Sequence, residues 1–428
     1  MDVQYWIKII KDWNESSPKN LISRHINIPL DLNINRAYSL IGPRRAGKTS
    51  EMLMLTEEVA KKNGKDKTIY INFERGDLGV INSKDLSLLL EAYQQIFPKN
   101  KKEELWLFLD EIQNVVNWEL FVRTCIDQKI KVIITGSSSK LLSKELATSM
   151  RGRSLTYNIL PLSFKEFLTF KSFNVPKFLS SKEEGIILNY FDEYLNFGGY
   201  PEVALYSTER EKILRDIFDT AILRDIIERH KIRNIFLMKT MMRALLISKE
   251  FSANKFYNYL KSQQIKSSKD AIYNYLGYLE DSFFIFMLNK FSLSYKKSEQ
   301  SIPKIYFIDN GLLRINFVDD KGRLLENMVF VELLRRNKDT AYYQNATKNE
   351  VDFVIKSGKK IEELIQVCYD ISNFETRDRE IRSLLLASKE FSCDNLLILT
   401  MSEEEELKVG NRKISILPVW KWLLKNRG

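Results

Sequence analysis

Cysteine and histidine are nearly absent from this chain. Its 428 residues include three cysteines, Cys125, Cys368 and Cys393, and two histidines, His25 and His230. Three widely spaced thiols exclude a disulfide framework and a four-ligand zinc site. Two distant imidazoles argue against a His-based metal centre or a His-centred triad. Long apolar runs are missing too: the longest uncharged one, residues 283–289, falls far short of the ~20 residues that span a bilayer. The opening MDVQYWIKIIKDW carries charges inside its apolar stretch and does not read as a secretory leader. The expectation is a soluble, cytoplasmic protein of a reducing compartment, with no membrane partner. Glycine is scarce, at 16 residues, so glycines at fixed spacing stand out.

What is present is an ordinary globular mixture, 44% apolar and 29% charged. At ~150 residues per domain the length predicts about three domains. The 66 Lys and Arg exceed the 56 Asp and Glu by ten, a balance that permits a polyanionic partner without requiring one.

The first 156 residues alternate strand-like and helix-like segments. AYSLI, TIYINF, LWLFL and VIIT read as strands, and residues 49–61 carry apolar side chains at helical spacing. Continuous apolar strands alternating with helices predict an α/β fold with a parallel sheet, whose ligands bind at the carboxyl ends of the strands. Three of these strands end in Gly, Asp-Glu or Gly-Ser.

The first ends in Gly42-Pro43-Arg44-Arg45-Ala46-Gly47-Lys48-Thr49, which satisfies the phosphate-loop pattern G-x-x-x-x-G-K-[ST] at every fixed position. Its backbone N–H groups would cradle ATP phosphates, Lys48 would reach the β- and γ-phosphates, and Thr49 would ligate Mg²⁺, with Ser50 next in the helix. LWLFLDE follows, with Asp110 lying 62 residues after Lys48. Asp110 is the candidate second metal-side ligand and Glu111 the candidate base for the attacking water. Ser137 or Ser138 would either sense the γ-phosphate or cap the next helix. Arg151 and Arg153, in MRGRS, are candidates for an arginine supplied in trans to the γ-phosphate, or else are solvated basic residues.

GPRRAGKT, FLDEIQNV, ITGSSSKLL with RGRS, LPLSFKEFL and NFGGYPEV, in that order, resemble the prokaryotic AAA+-superfamily ATPases common in archaea. The two arginines inside the loop and the Asp-Glu-Ile-Gln run are the most specific features, and the resemblance covers nearly the whole chain. It implies a RecA-like P-loop sheet over 1–156, a lid-like helical segment over 157–235, a winged helix over 236–300, and a restriction-endonuclease-like α/β domain over 301–428. It also implies that Asp110 and Glu111 are the metal-side and catalytic acids. No sensor-2 arginine is evident by pattern.

Residues 236–300 hold ten Lys and Arg against five Asp and Glu, half the chain's excess. Two short helices and an aromatic strand there fit a winged helix. Lys266, Ser268, Lys269 and Tyr273 would fall at the start of its second helix, where double-stranded DNA would be met. In the last domain, Glu326 on a helix and Asp352 and Gln366 on successive strands resemble the PD-(D/E)xK nuclease core, in which acids bind a divalent metal and a lysine helps activate water. Cys368 stands where that lysine is expected, which points to a degenerate domain. Lys356, Lys359 or Lys360 are alternative sources of the charge.

The predicted function is Mg-dependent ATP hydrolysis coupled to conformational change of the C-terminal half, on DNA, in a homo-oligomer if an arginine acts in trans. The alternatives are a slow ATP-dependent switch that binds a protein, and an ATP-gated nuclease.

Overall fold

The computed structural model describes all residues except 1, 17, 19–20, 25, 27, 31–34, 137–149, 151, 293–297, 299–300, 317–318, 359 and 426–428. Two compact units divide the chain, Met1–Leu160 and Pro161–Gly428. No helix among the described residues is long and apolar enough to cross a membrane.

The first unit is built on five parallel strands: β1 (Ala37–Ile41), β2 (Thr68–Asn72), β4 (Trp106–Asp110), β6 (Lys131–Gly136) and β7 (Ser154–Asn158). Their order is β2-β4-β6-β1-β7, so the phosphate-loop strand lies inside the sheet between β6 and β7. All five residues of β1 and of β4 are buried, as expected for strands covered on both faces. A two-residue pair, β3 (Ile81–Asn82) with β5 (Val115–Val116), lies beside them.

Helix α1 (Val3–Glu15) buries Trp6, Ile9, Ile10 and Trp13 and packs on α3 (Ser83–Ile96) and β2. Helix α2 (Lys48–Asn63) starts at the phosphate loop and presses Met52, Leu55 and Val59 onto Tyr38, Phe108 and Ile133. Those three residues recur at the spacing of one helical face. Gly64, at φ 104°, ends the helix. Helix α4 (Trp118–Asp127) leads into β6.

The second unit begins with helices α5 (Phe164–Phe170), α6 (Ser181–Phe197), α7 (Pro201–Leu205) and α8 (Arg210–Thr220), the last continuing as a π-helical stretch over Ala221–Glu228. Helices α9 (Ile235–Ile247), α10 (Ala253–Ser262) and α11 (Lys269–Asp281) follow. Strand β8 (Ile285–Leu288) then pairs antiparallel with β9 (Lys304–Phe307), so this hairpin reaches past residue 300. Next come α12 (Asn310–Arg314) and α13 (Lys321–Arg335), the latter buried from Arg323 to Leu333.

A mixed six-stranded sheet completes the unit. Its strands are β10 (Asp339–Gln344), β11 (Glu350–Ser357), β12 (Lys360–Val367), β13 (Leu396–Thr400), β14 (Glu405–Val409) and β15 (Arg412–Pro418), in the order β10-β11-β12-β13-β15-β14. Helix α14 (Phe374–Phe391) packs Leu384 and Ala387 against this sheet, and α15 (Val419–Leu424) closes it. The acidic run at 401–407, which reads locally as a solvated turn or helix start, instead enters edge strand β14. The partner strand β15 supplies the hydrogen bonds that local composition does not reveal, and Lys413 pairs with Glu406 at 2.8 Å.

Candidate active site

The phosphate loop leaves β1 at its carboxyl end. A Cβ on Gly42 would stand 1.9 Å from the Ile159 carbonyl oxygen, and Ile159 N–H donates to the Ile41 carbonyl at 2.6 Å. The close approach of the chain after β7 therefore demands glycine. Arg45 (φ 63°) and Gly47 (φ 95°) take left-handed backbone angles that curl the loop. Lys48 is buried, and its Nζ donates to the carbonyls of Gly42 (3.1 Å) and Pro43 (2.9 Å). Pro43 and Ala46 are buried, Arg44, Gly47 and Thr49 are partly covered, and Ser50 is exposed. Arg44 reaches Glu74 at 3.2 Å.

The two acids arrive at the end of β4. Asp110 is fully buried and accepts hydrogen bonds from Tyr70 Oη (2.9 Å), Asn72 Nδ2 (3.3 Å), Thr135 Oγ1 and the Thr49 side chain. Burial pushes the Asp110 carboxyl above the usual aspartate range, and its hydroxyl partners pull the other way. Burial, with the Asp110 charge close by, also drives the Tyr70 phenol far up, so it stays a donor. Glu111 adopts φ 53°, a left-handed angle rare for a residue with a side chain. Its N–H donates to Thr135 Oγ1 at 2.8 Å, Gln113 Nε2 donates to its carboxylate, and Lys48 Nζ lies 4.0 Å from Oε1.

Thus Lys48, Thr49, Asp110 and Glu111 are brought together from two strands that β6 separates. Thr135, on that intervening strand, ties both acids at once. Motif reading did not single out Thr135, Tyr70 and Asn72. The one available signal was their place near the carboxyl ends of β2 and β6, with Asn72 opposite Asp110 and Tyr70 opposite Phe108 in the sheet register. Arg24 was also missed. Its buried guanidinium donates to the carbonyls of Ala46 (2.8 Å) and Leu160 (2.9 Å) and so braces the loop, but no motif surrounds it. Thr135→Val keeps the volume but removes both hydroxyl bonds and strands the Glu111 N–H. A loss of about 1–3 kcal/mol is expected, read from denaturant melts.

Ser137, Ser138 and Arg151 lie outside the described residues. Arg153 stands at the amino end of β7, against the start of β1, and pairs with exposed Asp127. It is therefore at the opposite end of the sheet from Lys48, and this chain does not bring it to its own phosphate loop.

In the second unit, Lys266, Ser268, Lys269 and Tyr273 are all exposed, while Ile272, Tyr275, Leu276 and Leu279 form the buried face of α11. Ser268 Oγ accepts from Ala271 N–H and caps the helix. Glu326 and Asp352 do converge, but on a lysine that the sequence did not indicate. Lys304 Nζ lies 3.0 Å from Glu326, 2.9 Å from Asp352 and 2.7 Å from Glu350. Gln366 Oε1 accepts from Asp352 N–H at 3.2 Å, and its amide donates to Glu380. Cys368 is turned to the Asp370 carbonyl, and burial pushes its thiol up to about 11. Lys356 pairs with Asp339 at 3.0 Å, Lys360 is exposed, and Lys359 lies outside the described residues. Among the described residues, the cation that pairs with both Glu326 and Asp352 therefore comes from β9. Burial works against the Lys304 ammonium, but Asp352, Tyr306, Glu326 and Glu350 outweigh it and hold it well above the usual lysine range.

Residues 34–168 match the family model described as an AAA domain, so the first unit carries a nucleotide-binding domain of the AAA ATPase class. Residues 188–319 and 321–422 match two models described as domains of unknown function (DUF8612 and DUF4143). The chain is 43% identical to the uncharacterized protein MJ1544 of Methanocaldococcus jannaschii, over 97% of this chain and 94% of that one, and it belongs to the same family. An uncharacterized protein of Haemophilus influenzae is 29% identical over 90% of this chain and 93% of its own length. Among solved structures, the Walker-type ATPase of Pyrococcus abyssi is similar at 14% identity and a TM-score of 0.42, over 74% of this chain and 96% of that one.

Proposed function

We propose that this AAA-type protein hydrolyses ATP with Mg²⁺ at the phosphate loop and uses the cycle to move its C-terminal half on double-stranded DNA. The observation that carries the hydrolytic reading is the convergence of Lys48 and Thr49 with Asp110 and Glu111, the two acids being tied together by the Thr135 hydroxyl. The residues present fit the metal: the Thr49 hydroxyl and the Asp110 carboxylate already share a hydrogen bond, and two hard oxygens plus phosphates are a donor set that suits Mg²⁺. Bound there, Mg²⁺ supplies charge neutralisation to the phosphates. Lys48 holds the β- and γ-phosphates, and Glu111 takes the proton of the attacking water. Gly42 to Ser50 form the cradle.

Arg153, at the far end of the sheet, fits a finger only across a subunit boundary, and on that reading the working form is a homo-oligomer. Arg151 and Ser137 remain candidates for the γ-phosphate by sequence.

Helices α9 to α11 followed by the β8–β9 hairpin support a winged helix with the amino end of α11 as the DNA contact. The test is steady-state ATPase with and without duplex DNA, alongside duplex binding against salt. Stimulation is expected, with a binding slope that weakens by about 2 when Lys266 and Lys269 are both changed to alanine. A slow rate indifferent to DNA, with no salt-dependent binding, would defeat the DNA reading in favour of a protein-binding switch.

A further inference from the structure

A cavity of about 720 Å³ in the second unit opens onto Lys304, Glu326, Glu350 and Asp352. If this were a divalent-metal centre, the three carboxylates would turn their oxygens to an ion at about 2.0–2.6 Å. Instead they turn them to an ammonium at 2.7–3.0 Å. The ammonium donates to Glu326 Oε1 and Asp352 Oδ1 and is ion-paired with Glu350 Oε1. The remaining positions are also engaged. Tyr306 Oη donates to Glu326 Oε1 at 2.7 Å, Lys249 Nζ lies 3.5 Å from Glu326 Oε2, and Val367 N–H donates to Asp352 Oδ2 at 3.0 Å. Lys304 is only 5% exposed at its side chain, and a buried charge of this kind persists only where it is paired. Among the described residues no group of three or more His, Cys, Asp or Glu is placed to hold a metal, and in this cavity an ammonium stands between the acids. The residues do not fit a metal. The lysine and the acids Glu326 and Asp352 also come from segments that match separate family models, so the centre joins them.

We propose that Lys304 is a built-in cation standing where a divalent metal would otherwise sit, which makes this cavity a metal-independent site and the domain no metal-dependent nuclease. The corollary is that deleting the ammonium turns the same three carboxylates into a divalent-cation site, since they need to close in by only about 0.5 Å to reach metal–oxygen distances. The inference stands apart from the nucleotide-site reading and is tested without nucleotide.

The full-length wild type and Lys304→Met are titrated with Mn²⁺ and counted by electron paramagnetic resonance. Both are also exposed to Fe²⁺ and ascorbate, which cut the backbone beside a bound metal. Lys304→Met is expected to gain about one Mn²⁺ per chain, to melt higher with Mn²⁺, and to be cut near Glu326 and Asp352. The wild type is not expected to be cut there. Asp352→Asn added to Lys304→Met should abolish the gain. If Lys304→Met does not fold in buffer, Mn²⁺ is expected to restore its fold. Cutting of the wild type beside Asp352, or a Lys304→Met protein that neither gains Mn²⁺ nor is rescued by it, overturns the proposal.

Discussion

Glu111→Gln is expected to lower ATP turnover by about 10²–10⁴-fold, the range for loss of a positioned general base, while ATP binding survives. The replacement has the same shape, and its amide oxygen can still accept from Gln113. The backbone of residue 111 is held independently of the side chain, by the bond from its N–H to Thr135 Oγ1 and by the left-handed φ of 53°. Only the proton acceptor and the weak pairing with Lys48 at 4.0 Å are removed. Lys48→Ala should do the opposite at the first step and abolish binding, since it deletes the cation of the cradle. Single-turnover hydrolysis and nucleotide-binding titrations on both variants separate the two effects. A Glu111→Gln protein within tenfold of wild-type turnover would remove Glu111 from the base role.

Gly198→Ala is expected to destabilise the second unit by about 3–9 kcal/mol, in the class of effects that need a named mechanism. Gly198 ends α6 at φ 74°, and a Cβ there would stand 1.8 Å from Asp309 Oδ1. With ψ −163° this is a backbone region essentially reserved to glycine, and a side chain there costs about 1–3 kcal/mol. Moving the Asp309 carboxyl breaks its bonds from Gly199 N–H (2.7 Å) and Gly311 N–H (2.8 Å). Each donor left buried costs about 1–3 kcal/mol. Asp309 is already stressed: burial pushes its carboxyl up to about 7 even with both N–H bonds in place. Gly185→Ala is the control in the same helix. No atom lies within 4 Å of a Cβ there, and an exposed interior glycine of a helix costs about 0.5–1 kcal/mol relative to alanine. Paired denaturant melts should therefore move in opposite directions. A Gly198→Ala protein as stable as wild type would mean that Asp309 does not anchor this turn.

The alternating strands and helices of the first unit were legible because period and burial agree. AYSLI, LWLFL and VIIT are runs that only a doubly covered sheet accommodates, and the phosphate loop is a contiguous string whose spacing is itself the chemistry. The helices of the second unit were legible for the same reason, as was the apolar face Ile272, Tyr275, Leu276 and Leu279. Edge strands β10 and β14 were not: each pairs with the next strand in the chain, but DTAYYQ and EELKV mix charged and polar residues where an apolar run would announce a strand.

What the sequence by itself determined is the loop, the Asp110-Glu111 pair and the order of elements, since each rests on neighbours in the chain. Only the tertiary structure decided which side chains complete the sites. Thr135 joins Asp110 and Glu111 across 25 and 24 residues, and Lys304 joins Asp352 across 48. A hydroxyl or an ammonium in a strand looks the same in sequence whether it faces water or a buried carboxylate. Strand order places Thr135 beside its partners, and the packing of α13 on β9 brings Glu326 to Lys304; the cost of leaving such a carboxylate unpaired is what makes that placement consequential.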